Sequence, residues 1–473
     1  MDFRKNPVFQ FLASVKLALP MILILAILLA TGTIVEAVYS TPIAKRFVYG
    51  TWWFAGFLLL LGVNVFCSAI SRYPWKKYQT GFVITHVGIL CVLAGALMTQ
   101  QLGTDGQIAL VEGQHQSIFQ EDKPTFYYQI NDEPSRQFPA SFKILQPSPQ
   151  HPFLYHLENG GLLMIDQFLL NAGKVVEGQK APAGQKGFPA IHLNLHSSFV
   201  QENNWLFLGS PDYGHLDLGP ASVYFEKEGD WKKRISSDHS DVPANALAFL
   251  STPSGRLKYQ IRHKGQFSPA ESLRIGKSYS TGWMDMQFEA QDQLPKAIPV
   301  VSYEPEPLVY QKEPESAIHY QAVQGSERLE GWLGFEDQVT FPFAGKTLGL
   351  AYGPRQGHLP FDLELKKFNL GFDPGTQKPA SYASDVNYSD FETGTKMPAT
   401  IGMNEPLHYR GYTIYQASYS LGPDGKYTSV FSVGRDPGLV VKYGGALIMV
   451  LGIIFMFWFK NPAWNKRTEN ALE

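Results

Sequence analysis

Apolar and polar positions follow two regimes along the chain. Four stretches, 17–38, 52–70, 81–98 and 438–459, are almost free of charge, with Glu36 closing the first and Lys442 near the start of the last. A helix rises about 1.5 Å per residue, so about 20 apolar residues cross a hydrocarbon core, and each stretch is predicted to do so. The first is read as retained rather than as a cleaved signal, since it is long and no clear small-x-small cleavage site ends it before Glu36. Between the third and fourth, 99–437 is built of short runs that alternate apolar and polar residues, separated by Pro, Gly, Asn and Asp. Ala190 to His196, Phe361 to Phe368 and Tyr412 to Tyr419 are clear cases, and Asp373-Pro374-Gly375 and Pro423-Asp424-Gly425 read as turns. The predicted fold class is an α-helical membrane protein with four transmembrane helices plus a large extracytoplasmic, mainly-β domain of antiparallel sheets. Two packed layers or a sandwich-like body are expected there, with loops at 147–152 and 180–187, a candidate lobe boundary at 305–314, and little helix outside the spans.

Charge orients this arrangement. Arg4, Lys5 and Lys16 precede the first span, Arg72, Lys76 and Lys77 separate the second from the third, and Lys460, Lys466 and Arg467 follow the fourth. All fall on one side, which the positive-inside rule makes the cytoplasm. Residues 1–16 and 460–473 are then cytoplasmic, and 99–437 lies outside the cytoplasmic membrane. Lys45 and Arg46 in the first outer loop oppose the rule and are outvoted. Both cysteines, Cys67 and Cys91, lie in spans, so the outer domain folds without an internal disulfide and needs a large core. The net charge of −2 and the lack of a long basic run argue against a nucleic-acid partner.

An ionisable side chain within a span is costly and normally faces protein, a cavity or a ligand, which singles out His86 in the third. Gly81, Gly88 and Gly95 recur every seven residues on that helix and form a seam for close helix packing. His86 points roughly 160° away from it, at about 100° per residue. From spacing alone two roles stand level: a hydrogen bond that helps the bundle pack, or ligation of a metal or haem iron. Cys91 lies about 140° round the helix from His86, a poor partner for the same ligand. Cys67 and Cys91 are more simply packing than redox groups. His192 and His196 share a strand face that reads as polar exterior. No nucleophile elbow, phosphate-cradling loop, zinc-type cysteine cluster or haem-attachment motif occurs.

The chain resembles the ResB-type (CcsB) subunit of the system II machinery for cytochrome c biogenesis. The resemblance is carried by Gly32-Thr33, Val48-Tyr49, Trp52-Trp53-Phe54, Asn64 to Ser68 and His86 to Leu90 in the spans. Before the last span it is carried by Leu359-Pro360-Phe361, Ser384-Asp385-Val386, Asn404 to Leu407, Tyr409 to Tyr412, Ile414 to Tyr419 and Arg435 to Gly438. Residues 120–340 match least. The resemblance implies a membrane subunit that works with a ResC/CcsA-type partner to export haem b as transient cargo and present it to apocytochrome c. His86 is the position that matches an axial haem ligand, with Phe82, Ile89, Leu90 and Leu93 as an apolar slot. It further implies that haem attachment belongs to the complex rather than to this chain alone. A thioredoxin-like thiol reductase would act indirectly, on the apocytochrome. Two other readings stay open: a membrane-anchored β-domain chaperone or scaffold without cofactor, and a thiol redox protein using Cys67 and Cys91.

Overall fold

The computed structural model describes residues 6–460 apart from 141, 143–146, 158–159, 199–200, 238–240, 284, 311, 374, 376–377 and 423. Arg4, Lys5, Lys466 and Arg467 of the charge clusters, and the prolines of the two turn signals, lie outside the described residues. The turn glycines Gly375 and Gly425 do have positive φ, 78° and 77°, as a reversal there requires. The chain divides into two units, one formed by 1–141, 308–313 and 348–473, the other by 142–307 and 314–347. The second is thus an insertion in the first. The segment 308–313 within the predicted boundary region is one of the places where the chain passes between them.

The first unit opens with a short helix, α1 (Pro7–Leu12), then α2 (Val15–Val38). Ser14 starts α2 by accepting the Leu17 N–H at 3.3 Å. The first loop contains α3 (Thr41–Ala44), continued by a π-helical turn over Lys45–Tyr49. Ile43, Ala44 and Val48 are buried there, so the loop bearing Lys45 and Arg46 is a folded element. Tyr49 packs its ring where a Cβ on Gly32 would stand, a physical reason for Gly32 and Tyr49 to occur together. The second span is α4 (Trp52–Ser71), the third α5 (Thr80–Leu102), and among the described residues four helices are long and apolar enough to cross a membrane.

Buried Asn64 on α4 donates from its side-chain amide to the carbonyls of Leu12 at 2.6 Å and Ser14 at 3.3 Å. It thereby satisfies the end of α1 and ties it to the second span. Hydrogen bonds of this kind inside membranes contribute about 1 kcal/mol. Asn64→Leu should therefore lower stability by about that amount in detergent unfolding, with the fold retained.

Beyond α5 the unit is one large antiparallel sheet. Its strands run Lys396–Gly402, Pro379–Asp390, Lys346–Phe372, His115–Ile130, Thr104–Val111, Tyr427–Arg435, Tyr412–Leu421 and Leu407–Tyr409. The ends of this path touch, Lys396–Gly402 against Leu407–Tyr409 and Tyr412–Leu421, so the sheet curls round its own core. Leu359, Phe361, Leu363 and Leu365 alternate inward on one strand to meet Ile108, Leu110, Phe431 and Val433. Thr104–Val111 leaves α5 after one residue, and it pairs with Tyr427–Arg435 from Thr104↔Arg435 to Val111↔Thr428. The second of these leads through Asp436–Gly438 into the fourth span, the last helix of the chain. The two spans therefore continue as neighbouring central strands.

The second unit contains sheets of six, five and four strands, and the six- and five-stranded sheets share a core that includes Ile191, Leu193, Leu195, Phe225, Phe249 and Phe288. Its parallel pair, Ser222–Lys227 with Ala246–Ser251, is joined through α6 (Glu228–Ile235). This helix is the one break in the outer β pattern among the described residues, in keeping with the expectation of little helix outside the spans. It is short and charged, with acids in its first turn, bases in its last and Trp231 as its buried anchor. Eight residues are too few to display a periodicity.

Candidate functional site

The membrane part is organised by α5 and the last span, α7 (Leu439–Lys460). Gly81, Gly88 and Gly95 are all buried, and all face α7. A Cβ on Gly88 would lie 2.5 Å from the Met449 backbone nitrogen and 2.7 Å from the Gly445 carbonyl oxygen. One on Gly81 would collide with the backbone of Met456 and Gly452, and one on Gly95 would sit 2.7 Å from Lys442 Cγ. On α7 and just before it, Gly438, Gly445 and Gly452 are in turn crowded by α5. The seam is thus two facing heptad rows of glycine, of which the sequence reading recognised one. The signal for the other, the same spacing of seven, stood in the fourth span.

The end of this pair nearest the sheet is fastened by Asp436. Its carboxylate accepts from Thr99 Oγ1 at 2.7 Å, the Gly438 N–H at 2.9 Å and Lys442 Nζ at 2.7 Å. The lone charge in the fourth span is therefore neutralised at the helix start.

His86 sits half-buried on α5. Its Nδ1 is 2.8 Å from the Phe82 carbonyl oxygen. A carbonyl only accepts, so Nδ1 carries the proton and, in the neutral ring, Nε2 keeps its lone pair. An imidazole held in this way is the form that binds a metal through Nε2. The Phe82 ring centre lies 3.9 Å from that of His86, and the guanidinium carbon of Arg72 lies 3.8 Å from the Phe82 ring centre. A half-buried imidazole with a fixed tautomer, beside an aromatic surface, fits the iron of a flat apolar tetrapyrrole.

The cysteines are not drawn into a pair. Both are free, Cys67 buried on α4 and Cys91 half-buried on α5. The Cys91 Cβ lies 2.8 Å from the position of a Cβ on Gly445, which places it in the glycine seam. Leu93, expected in the apolar slot, has its Cδ1 3.7 Å from a Cβ built on Gly62 of α4. Among the described residues no three His, Cys, Asp or Glu side chains cluster as a metal site.

In the second unit His192 and His196 are half-exposed between buried Ile191, Leu193 and Leu195, as the alternation predicts. His192 stacks on Trp205 with ring centres 4.8 Å apart. One pairing was invisible in the sequence: His319 Nδ1 lies 2.6 Å from Asp166 Oδ1, and Gln321 donates to Asp166 Oδ2 at 2.7 Å. Adjacent strands bring these residues together across 153 positions.

The strand Tyr412–Leu421 is largely structural. Ile414 is buried, and Tyr419 joins Phe368, Tyr382 and Tyr427 in one ring cluster, with Phe368 4.8 Å from Tyr419 and 4.9 Å from Tyr427. Tyr415 is 47% exposed and is the aromatic of that strand that faces solvent most fully.

Comparison with known proteins bears on this geometry. Residues 328–428 match the ResB-like family. The chain is 22% identical over 434 residues to Protein NrfI of Wolinella succinogenes, which covers 92% of this chain but 33% of that one. It is 32% identical over 97 residues to the cytochrome c biogenesis protein CcsB of a Synechococcus species, 20% of each chain. It is 31% identical over 97 residues to the cytochrome c biogenesis protein Ccs1 of Trieres chinensis, 23% of that chain. The chain thus spans about a third or less of the length of these relatives. It has distant, partial homology to cytochrome c biogenesis proteins of the ResB/CcsB kind. The matched region lies largely on the curled sheet of the first unit and includes Phe361, Ser384, Asp390 and Arg410.

Proposed function

We propose that this chain is a membrane subunit of a cytochrome c maturation complex of the system II type. It holds haem b as transient cargo through His86 and, with a ResC/CcsA-type partner, delivers it to apocytochrome c outside the cytoplasmic membrane. The observation that carries this reading is the fixed imidazole of His86, whose Nδ1–H is engaged by the Phe82 carbonyl at 2.8 Å while Nε2 is left to bind iron. The homology to cytochrome c biogenesis proteins supports it. His86 acts as an electron-pair donor and orienting group, and the partner provides the opposite axial ligand. Haem attachment belongs to the complex, and a thioredoxin-like reductase keeps the apocytochrome thiols reduced. The paired spans 3 and 4, continuous with central strands of the sheet, give the outer domain a rigid link to the haem-holding helix.

His86→Gly should lower haem retained by the purified complex on the order of 10–100-fold, with partial recovery of the Soret band on adding imidazole. Wild-type haem content and normal cytochrome c assembly in the His86→Gly strain would sink the assignment.

A further inference from the structure

Arg72 ends α4 and overhangs the start of α5. Its guanidinium carbon and the His86 ring both lie within 4 Å of the Phe82 ring centre, at 3.8 and 3.9 Å. Two such groups cannot occupy one face of the same ring, so Phe82 lies between them. The result is a short column running from the imidazole inside the bundle to an exposed guanidinium at the span boundary. Acidic residues are missing from the whole segment from Ser71 to Thr80, which also carries Lys76 and Lys77. Among the described residues no carboxylate pairs with Arg72. A guanidinium held at the rim of an apolar site, with its donors unspent on protein acids, is built to accept an anion.

Resting on the haem reading of His86, we propose that Arg72 binds the carboxylates of the bound tetrapyrrole and so fixes which edge faces this end of the spans. An iron porphyrin is apolar except along the edge that bears its two propionates. If its iron is held by His86, burying the opposite edge among the apolar residues deeper in the spans brings the acid edge past Phe82 to the helix ends. There a charge-assisted, bidentate contact with Arg72 neutralises one carboxylate at the least cost in desolvation. Phe82 serves both ends: its ring supports the guanidinium by cation–π attraction and stands beside the imidazole. Arg72 is a positioning residue, acting on the orientation of the cargo rather than on its iron.

The test titrates the full chain, purified in detergent, with iron protoporphyrin and with its dimethyl ester, in which both carboxylates are blocked. For Arg72→Gln we expect about tenfold weaker binding of the free acid. Binding of the ester should be unchanged, and the His-ligated optical spectrum retained. Arg72→Lys should fall between. An equal loss for acid and ester would assign Arg72 a purely structural role, and no loss for either would leave it a lipid-headgroup contact only; each overturns the proposal. The same titration with His86→Gly separates this proposal from its premise. Undiminished binding of both compounds there would remove the haem reading itself, whereas loss of both leaves the Arg72 result to be judged alone.

Discussion

Replacing Gly88 by Leu should separate α5 from α7 and abolish accumulation of the folded chain in the membrane. A Cβ at this position would stand 2.5 Å from the Met449 nitrogen and 2.7 Å from the Gly445 carbonyl oxygen, both backbone atoms that no rotamer change can move. Even Ala requires the helices to part by about 1 Å to reach ordinary contact distance, and that loosens the neighbouring contacts along the seam. Overpacking in a close-packed core typically costs about 1–3 kcal/mol, and Leu at the narrowest point of a two-sided glycine contact belongs at or above the top of that range. Gly62→Leu is the matched control, because its nearest neighbour is the movable Leu93 side chain at 3.7 Å. Size-exclusion profiles and membrane yield should fall steeply for Gly88→Leu, less for Gly88→Ala and least for Gly62→Leu. Equal yields for the three would mean that the seam does not hold the pair together.

The effect should extend past the bilayer. Thr104–Val111 and Tyr427–Arg435 leave the tops of α5 and α7 as paired strands, and Asp436 binds Thr99 and Lys442 at the junction. A helix pair forced apart at Gly88 therefore strains the central strands of the curled sheet as well as the surroundings of His86.

How much of this was legible in the sequence depended on how local each signal was. The spans and alternating strands follow from short contiguous windows, and Ala190 to His196 and Tyr412 to Tyr419 fall within the strands Phe188–His196 and Tyr412–Leu421. One row of the glycine seam was legible because its period of seven lies within one helix, whereas the His86 tautomer, set by a carbonyl four residues away, is fixed by a side-chain rotamer that no sequence pattern announces. The Arg72 column crosses a helix–helix turn, and the Asp166–His319 pair joins strands 153 residues apart, so no spacing announces either. The nested second unit was hidden for the same reason. Contiguity in sequence suggests consecutive lobes, whereas the chain leaves the first unit at 142 and re-enters it for good only at 348. The motif residues of the ResB-like region also changed meaning. Tyr409, Arg410 and Gly411 read as a signature, and in the fold they form the hairpin turn that completes a buried ion pair, with Arg410 and Gly411 at φ 50° and 79°.

That ion pair should make the first unit acid-sensitive in a way one substitution removes. Asp390 is 2% exposed and accepts hydrogen bonds from Arg410 Nε at 2.7 Å and a second guanidinium nitrogen at 3.0 Å. It also accepts from Tyr409 Oη at 2.6 Å and from the N–H groups of Glu392 and Thr393 at 2.8 and 2.9 Å. The Arg410 guanidinium, followed by these other donors, holds the Asp390 carboxyl well below the ordinary carboxylate range. A carboxyl whose pKa is depressed on folding contributes stability that is fully present above its unfolded pKa, near 4, and is lost as pH falls through the folded value. Arg410→Leu strands a buried carboxylate, and should lower Tm on the order of 5 °C at pH 7. The gap between variant and wild type should narrow as pH falls below about 4, because protonation removes the charge that Arg410 compensates. Glu364, pulled down to about 2 by Lys366, Lys396 and Asn387, also loses stabilising charge on acidification, but equally in both proteins, so it cancels from the comparison. Asp390→Asn in the Arg410→Leu background should recover part of the loss at pH 7 by removing the stranded charge. A Tm gap independent of pH, with no recovery in the double variant, would show that Arg410 acts through packing of its stem rather than through Asp390.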